Sequence, residues 1–411
     1  MTRKQRGGLS LLLVFCILLT LLPGGVFAAP QAGPEPALEA FTQTLEPALA
    51  LEGFDEGWDA DPNALIEIGV QFVTPPSVAL RLMHEAEPQR ARMSLSADDF
   101  EAQAQAAHDV FWAQAAPLTR ARTTQIEILS EHNLLFNGVF LRVPIHMVEQ
   151  IAALPEVAVI TPNEVYEPEP VIPVPESTSG IAPTSGDPFM RGTRELFDLD
   201  YIHNHLLLPG RDTPGITGAQ RPCTHRDPCG GCGEHMRPVR VGILDTGVYH
   251  NHPRFVPYHN PETGRIRGWC FMNGNDNPAE EGSDHGTVVT GPVIAIAPGV
   301  ELWHFRAIGT SHNIQVVEMA HREGIDVLNR TSLVGGLGLV GNLAVLDGMI
   351  IVNSAGNSGQ TFGGYFTVSA GLDSLVISAA AGQGGSDEVA TNAGMGLPCF
   401  PPAVRRRDSL T

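Results

Sequence analysis

Along ALIEIGVQFV the apolar side chains Ile66, Ile68, Val70 and Phe72 fall on every second position, which predicts a half-buried strand. The period then lengthens. Ser96 stands ahead of a segment with Phe100, Ala104, Ala107 and Phe111 on one helical face, and Pro117 marks its end. IEIL and NGVFLRV read as strands, HMVEQIAAL as a short helix and VAVIT as another strand. Elements mixed in this way predict a small α+β domain over residues 61–166, its last strand ending near Tyr166. The following EPEPVIPVPESTSGIAPTSGDP is proline-rich and has no apolar period, which predicts a semi-extended linker over residues 167–190.

Residues 191–411 carry a different pattern. RELFDLDYIHNH reads as helical, and residues 208–238 have the Gly-, Pro-, Cys- and Arg-rich composition of a loop. PVRVGILDTG, VELWHFRAIG, EGIDVLNRTS, GMIIVNSAGNSG and DSLVISAAA each hold an apolar run that stops at a turn rich in Gly, Ser, Thr or Asn. Such runs, apolar on both faces and alternating with helical stretches, predict an α/β domain on a parallel sheet, with functional side chains at the C-terminal ends of the strands. In IGTSHN, between ELWHFRAI and the helical NIQVVEMAHREG, Ser311 or Asn313 is expected to cap the helix. The Gly-Thr-Ser triplet there also raises Ser311 as a candidate nucleophile. From about residue 382 the tail fits neither a strand nor a helix.

Length and charge narrow the picture. A chain of 411 residues with 43 % hydrophobic content has room for two or three packed domains. Its net charge of −20 is the wrong sign for neutralising phosphates or anionic lipid, so nucleic acid is not an expected partner. MTRKQRGGLSLLLVFCILLTLLPGGVFAAP has Arg3, Lys4 and Arg6, an apolar run from Leu9 to Leu22 and small residues around Ala28, the layout of a signal peptide over residues 1–28. A mobile lead-in over residues 29–60 and secretion, with no stable membrane span after cleavage, are the corresponding expectations. Of six cysteines, Cys16 would leave with the signal, and the remaining five cannot all pair within one chain. The cluster of Cys223, Cys229 and Cys232 has one CxxC and no second, so loop cysteines or a local disulfide are expected there rather than zinc.

Three segments carry candidate chemistry. ILDTG puts Asp245 at the end of a buried strand, where a carboxylate can orient an imidazole; an aspartic protease would need a second Asp-Thr/Ser-Gly, and the chain has none. SDHGTVVTG puts His285 at the start of a small-residue helix, against the ordinary reading of a satisfied structural histidine. SAGNSG follows the apolar MIIV and offers Asn357 as an amide donor to an oxyanion, against the ordinary reading of a turn asparagine.

In this order the segments resemble the subtilisin-like serine proteases. VGILDTGV is similar to the family's aspartate motif, DHGT to its histidine motif, GIDVLNRTSL to its substrate-binding strand and SAGNSG to its oxyanion asparagine, over roughly residues 236–381. VFLRVPIHMVEQIAALPEVAVITPNEVYE resembles the end of the family's propeptide. The resemblance implies a subtilisin-like catalytic domain preceded by a ferredoxin-like propeptide domain that inhibits it within the chain and is cut off after Tyr166. It implies a secreted or cell-surface endopeptidase acting on polypeptides, with Asp245 and His285 as catalytic residues and Asn357 at the oxyanion. Ser332, Leu333, Val334, Gly335 and Gly336 would line the substrate cleft. Calcium is common in the family, but no ligand cluster here identifies a metal site, and no other cofactor is expected.

The chain departs from the family in its most telling part. The family's nucleophilic serine lies in a Gly-Thr-Ser-Met-Ala-like motif after the oxyanion asparagine, and none follows Asn357; Ser311 comes too early and Ser409 lacks any supporting context. A truncated or frame-shifted reading of a longer gene, inactive as it stands, is the expectation. The alternative is a non-catalytic relative that binds peptides or inhibits a protease. Val288 stands where the family usually has a second histidine, Pro292 falls inside the expected helix, and Arg330 occupies a usually apolar strand position. The sequon at Asn329 lies on that expected buried strand, which argues against glycosylation.

Overall fold

The computed structural model describes residues 50–51, 54, 58–59, 61–86, 95–118, 126–164, 220–222, 236–279, 284–331, 338–354 and 376–379. The chain divides into Met1–Ala40, outside those residues, and Phe41–Thr411, to which everything below belongs. The signal, linker and tail expectations all fall outside the described residues, as does the helix expected at RELFDLDYIHNH. Among the described residues no helix is long and apolar enough to cross a membrane.

The first lobe is a five-stranded sheet in the order β1-β5-β2-β4-β3, made of β1 (Ala50–Leu51), β2 (Leu65–Phe72), β3 (Glu127–His132), β4 (Gly138–Pro144) and β5 (Val157–Pro162). Helices α1 (Ser77–Ala86), α2 (Ala97–Ala115) and α3 (Val148–Ala152) accompany it. Ser96 caps α2 through a reciprocal capping box with Asp99, as its sequence suggests. The stripe Phe100, Ala104, Ala107 and Phe111 is buried, and Phe111 joins Ile68, Val70, Leu141 and Ile160 in the lobe's own core. Helix α1 has no counterpart in the sequence expectations.

The second lobe is built on a seven-stranded sheet in the order β14-β13-β12-β8-β11-β10-β9. Its strands are β8 (Arg240–Asp245), β9 (His259–Asn260), β10 (Arg265–Cys270), β11 (Glu301–Arg306), β12 (Val327–Arg330), β13 (Ile350–Ser354) and β14 (Ile377–Ala379). All pair in parallel except β9. Helix α4 (His285–Ile296) covers one face with Ile243, Leu302 and Ile294; α5 (Thr310–Arg322) and α6 (Leu339–Leu346) cover the other with Leu244, Phe305 and Leu328. The fold is a mixed α/β architecture with a mostly parallel sheet, in keeping with a subtilisin-like fold.

Two local expectations are corrected. Part of the loop expected at residues 208–238 pairs as an antiparallel ribbon of β6 (Gln220–Pro222) and β7 (Met236–Pro238). Pro292 lies inside helix α4, as the sequence predicts. Neither Ser311 nor Asn313 caps α5: the N-cap is Gly309, at φ 98°, and both side chains lie within the helix. The first lobe supplies the missing acceptors, since the Thr310 amide donates to the Glu164 carbonyl at 2.9 Å and the Ser311 amide to Asn163 Oδ1 at 3.0 Å.

The lobes share apolar and polar contacts along α5 and α6. Val78, Ala79, Leu135 and Phe140 pack into one core with Val316, Val317, Ala320, Leu343 and Ala344. Buried Glu318 accepts from the Leu135 amide at 2.8 Å and the Phe136 amide at 3.2 Å, and pairs with His132 Nδ1 at 2.8 Å. Asp347 pairs with Arg81 and, at 2.6 Å, with His321 Nε2.

Candidate active site

Asp245 is the last residue of β8, where the strand passes into the turn at Thr246 and Gly247. Helix α4 begins beside that turn. Gly286 permits the approach: a Cβ there would lie 2.0 Å from the Gly247 carbonyl oxygen, so any larger residue would push the helix off the sheet. The Gly286 amide donates to Thr246 Oγ1 at 3.1 Å, and Thr290 Oγ1 donates to the Gly286 carbonyl at 2.6 Å. These contacts fix the first turn of α4 and with it the position of His285.

The two side chains meet at hydrogen-bond distance, with His285 Nδ1 at 2.9 Å from Asp245 Oδ1 and 2.8 Å from Oδ2. The carboxylate is fully buried, while the imidazole is 26 % exposed, so the pair is enclosed on one side and open on the other. The Thr246 amide donates to Oδ1 at 2.6 Å, and Thr331 Oγ1 donates to Oδ2. Burial works to raise the Asp245 pKa, but the His285 hydrogen bond and charge, with Thr331 and the Thr246 amide, hold it below the usual carboxylate value. An ionised carboxylate opposite Nδ1 selects the tautomer with the proton on that nitrogen, leaving the Nε2 lone pair as the base.

Thr331 was not singled out by sequence reasoning. It follows β12, whose Arg330 pairs with Leu244, so the next residue on each strand is brought together at the sheet's C-terminal edge. That register is a tertiary fact, and the only hint in the sequence is a hydroxyl residue directly after an apolar strand. Ser354 Oγ, at the end of β13, donates to the Thr331 carbonyl at 3.1 Å and extends the polar edge by one strand.

A second imidazole lies under α4. His304 on β11 is completely buried, its ring nitrogens meet no hydrogen-bond partner of good geometry among the described residues, and burial pushes its pKa down to about 4 against the pull of the Asp245 carboxylate and the Gly286 backbone. It is therefore neutral at ordinary pH. Arg330, at the end of β12, is also completely buried.

Asn357, Ser332, Leu333, Val334, Gly335 and Gly336 lie outside the described residues, as do Ser409, Cys223, Cys229 and Cys232. Ser311 sits in the first turn of α5, tied to Asn163. Val288 is 48 % exposed on α4. Cys270 is a buried free thiol. Among the described residues no group of three or more His, Cys, Asp or Glu side chains is arranged to hold a metal ion.

No protein-family model matches the chain. It is 26 % identical over 284 residues to the minor extracellular protease Vpr of Bacillus subtilis (strain 168), covering 62 % of this chain and 30 % of that protein. It is 26 % identical over 219 residues to subtilisin E of the same strain, covering 48 % of this chain and 53 % of the relative. Subtilisin of Bacillus pumilus is also 26 % identical over 219 residues, which is 48 % of this chain and 74 % of that protein. The chain thus spans about a third to a half of the first two relatives. A solved structure, the epidermin leader peptide processing serine protease of Staphylococcus aureus, aligns with a TM-score of 0.38 at 12 % identity over 72 % of this chain and 61 % of the other, too remote to bear on the fold. In sequence the chain is similar to the subtilisin-like serine proteases, over about half to three-fifths of its length.

Proposed function

We propose that the chain derives from the precursor of a secreted subtilisin-like serine endopeptidase, with a signal peptide, an inhibitory propeptide domain of ferredoxin-like type and a protease domain. The observation that carries this reading is the buried Asp245 held against Nδ1 of a partly open His285 at the C-terminal edge of a parallel sheet. In that arrangement His285 Nε2 takes the proton of a serine hydroxyl as it attacks the scissile carbonyl, and later returns it to the leaving amine. Asp245 fixes the imidazole and stabilises its cation. Asn357 donates to the oxyanion, and Ser332 to Gly336 pair with an extended peptide by strand addition.

The serine itself belongs to a segment that the sequence does not carry after Asn357. The 411-residue chain is therefore expected to hydrolyse no peptide and to resist labelling by a fluorophosphonate probe; labelling at Ser311 or Ser409 would overturn the assignment. A form extended from the neighbouring coding DNA with a Gly-Thr-Ser-Met-Ala-like segment is expected to be labelled at that serine and to cleave peptides. If the extended form is labelled yet cleaves with His285 replaced by alanine, His285 has no part in the reaction.

A further inference from the structure

The parallel sheet has a second feature at its opposite end. Asp245 closes β8, whereas Arg240 opens it and pairs with Glu301, the first residue of β11. Beside Glu301 lies a cavity of about 430 Å³, within the size range of small-molecule sites, between the end of α4, the 3-10 turn Val256–Tyr258 and the edge of β10. Pro257, Pro298, Ile294, Val300 and Leu302 give it apolar walls.

The lining carries two guanidinium groups. Arg254 and Arg267 line the cavity in a chain whose net charge is −20, with the His259 ring beside them. Arg254 stands close enough to Tyr258 for its charge to oppose the upward push that burial gives the phenol, which places its guanidinium by the cavity wall. The Tyr258 hydroxyl donates to the Pro298 carbonyl at 2.9 Å and ties the two sides together. The Arg267 guanidinium has no hydrogen-bond or ion-pair partner among the described residues. Among the described residues the lining includes one acid, Glu301, and its Oε1 already accepts from Arg240 Nε at 3.0 Å and Trp303 Nε1 at 2.8 Å.

We propose that this cavity is a binding site for a carboxylate carried on an apolar body, with Arg254 and Arg267 facing the anion and the proline and aliphatic wall taking the rest. A guanidinium offers a planar donor fork that matches a carboxylate, and an anion is attracted here against the field of the whole chain. The carboxylate can come from a free organic acid or from the C terminus of a short apolar peptide. The site lies away from Asp245 and His285 and does not depend on the proteolytic reading.

Calorimetric titration of the full chain with N-acetylphenylalanine and acetyl-Ala-Ala-Phe, each against its C-terminal amide, tests the assignment. Both acids, or the tripeptide acid alone, are expected to bind at least about tenfold more tightly than the amides. Binding of the tripeptide acid alone identifies a peptide C terminus; equal binding of the two acids identifies carboxylates at large. Arg254→Gln and Arg267→Gln are each expected to lower acid affinity about tenfold while leaving the amides unchanged, and Arg254→Lys to restore part of the loss. Acids that bind no better than amides, acids that do not bind, or unchanged acid affinity in the folded double Gln variant would each overturn the proposal. The acid-to-amide comparison needs no variant, so a misfolded substitution cannot protect the idea.

Discussion

Two carboxylate–histidine pairs in this chain have nearly the same bond and opposite settings. Asp245 meets His285 at 2.8 Å and Glu318 meets His132 at 2.8 Å; both carboxylates are buried, and both are held below their ordinary pKa. The difference is in the imidazoles, since His285 is 26 % exposed and His132 is 2 % exposed. The second ring nitrogen of His132 contacts Ser130 Oγ at 2.9 Å, so both its nitrogens are occupied within the protein. A buried anion that orients a half-open imidazole leaves a base for a substrate; one that orients an enclosed imidazole joins two lobes. The bond length alone distinguishes neither role.

The largest expected effect is that of Asp245→Asn in a serine-bearing extended form. It preserves shape but removes the charge that selects the His285 tautomer, and kcat is expected to fall by about 10⁴ in peptide hydrolysis with little change in folding. The matching change at the lobe interface, Glu318→Ala, strands His132 and the amides of Leu135 and Phe136. It should cost about 3–5 kcal/mol in urea unfolding. A drop in hydrolysis from Glu318→Ala while the lobes stay docked would show that the two pairs are not separate in role.

Acid sharpens the contrast. For Glu318, burial raises the pKa but His132 and the two amides outweigh it, so the folded value lies below the ordinary 4.5. Its contribution is fully present above 4.5 and is lost as pH falls through the lower folded value. His304 acts over a higher window. Its folded pKa of about 4 lies below the ordinary 6.5, so the unfolded chain binds the extra proton and stability drains away as pH falls from 6.5 towards 4. His304→Leu is expected to recover up to about 3 kcal/mol near pH 4 and little near pH 7, read from chemical denaturation at the two pH values. An equal gain at both would assign the effect to packing.

The smallest expected change is Thr331→Val, which removes the hydroxyl donor to Asp245 but keeps the side chain's shape. A loss of about 1.5–3 kcal/mol in transition-state stabilisation, seen as a lower kcat/KM in the extended form, would confirm that the carboxylate needs a second side-chain donor. Unchanged kcat/KM would leave the Thr246 amide and His285 as sufficient partners.

Much of this arrangement was legible in local pattern. The alternation at Ile66 to Phe72 and the stripe on α2 report burial through a period of two or 3.6 residues, and the apolar runs ahead of Asp245 and Thr331 report strands covered on both faces. Asp245 was legible because a carboxylate at the end of an apolar run is costly without a partner, and His285 because it opens a small-residue helix. Their meeting at 2.8 Å depends on Gly286 allowing α4 to touch the turn, a contact between segments 40 residues apart. Thr331 was missed because strand register decides what stands beside Asp245. The start of α5 was misread for a related reason: the groups that satisfy its first amides are Asn163 and Glu164, on another lobe. His304 was missed because WHF reads as an ordinary apolar run with one polar interruption.

The apolar core shared by the lobes sets the terms on which they could separate. Phe140 and Leu135 on one side and Val316, Val317 and Leu343 on the other belong to one cluster, so a backbone cut between residues 164 and 236 would divide the chain without dividing its core. Each piece would carry away a wetted hydrophobic face, and the piece holding α5 would also lose the acceptors of its first amides. Nicked protein should therefore migrate as one particle until denaturant or a second cut removes the smaller piece. The solubility of the larger piece alone would then depend on what next covers α5 and α6.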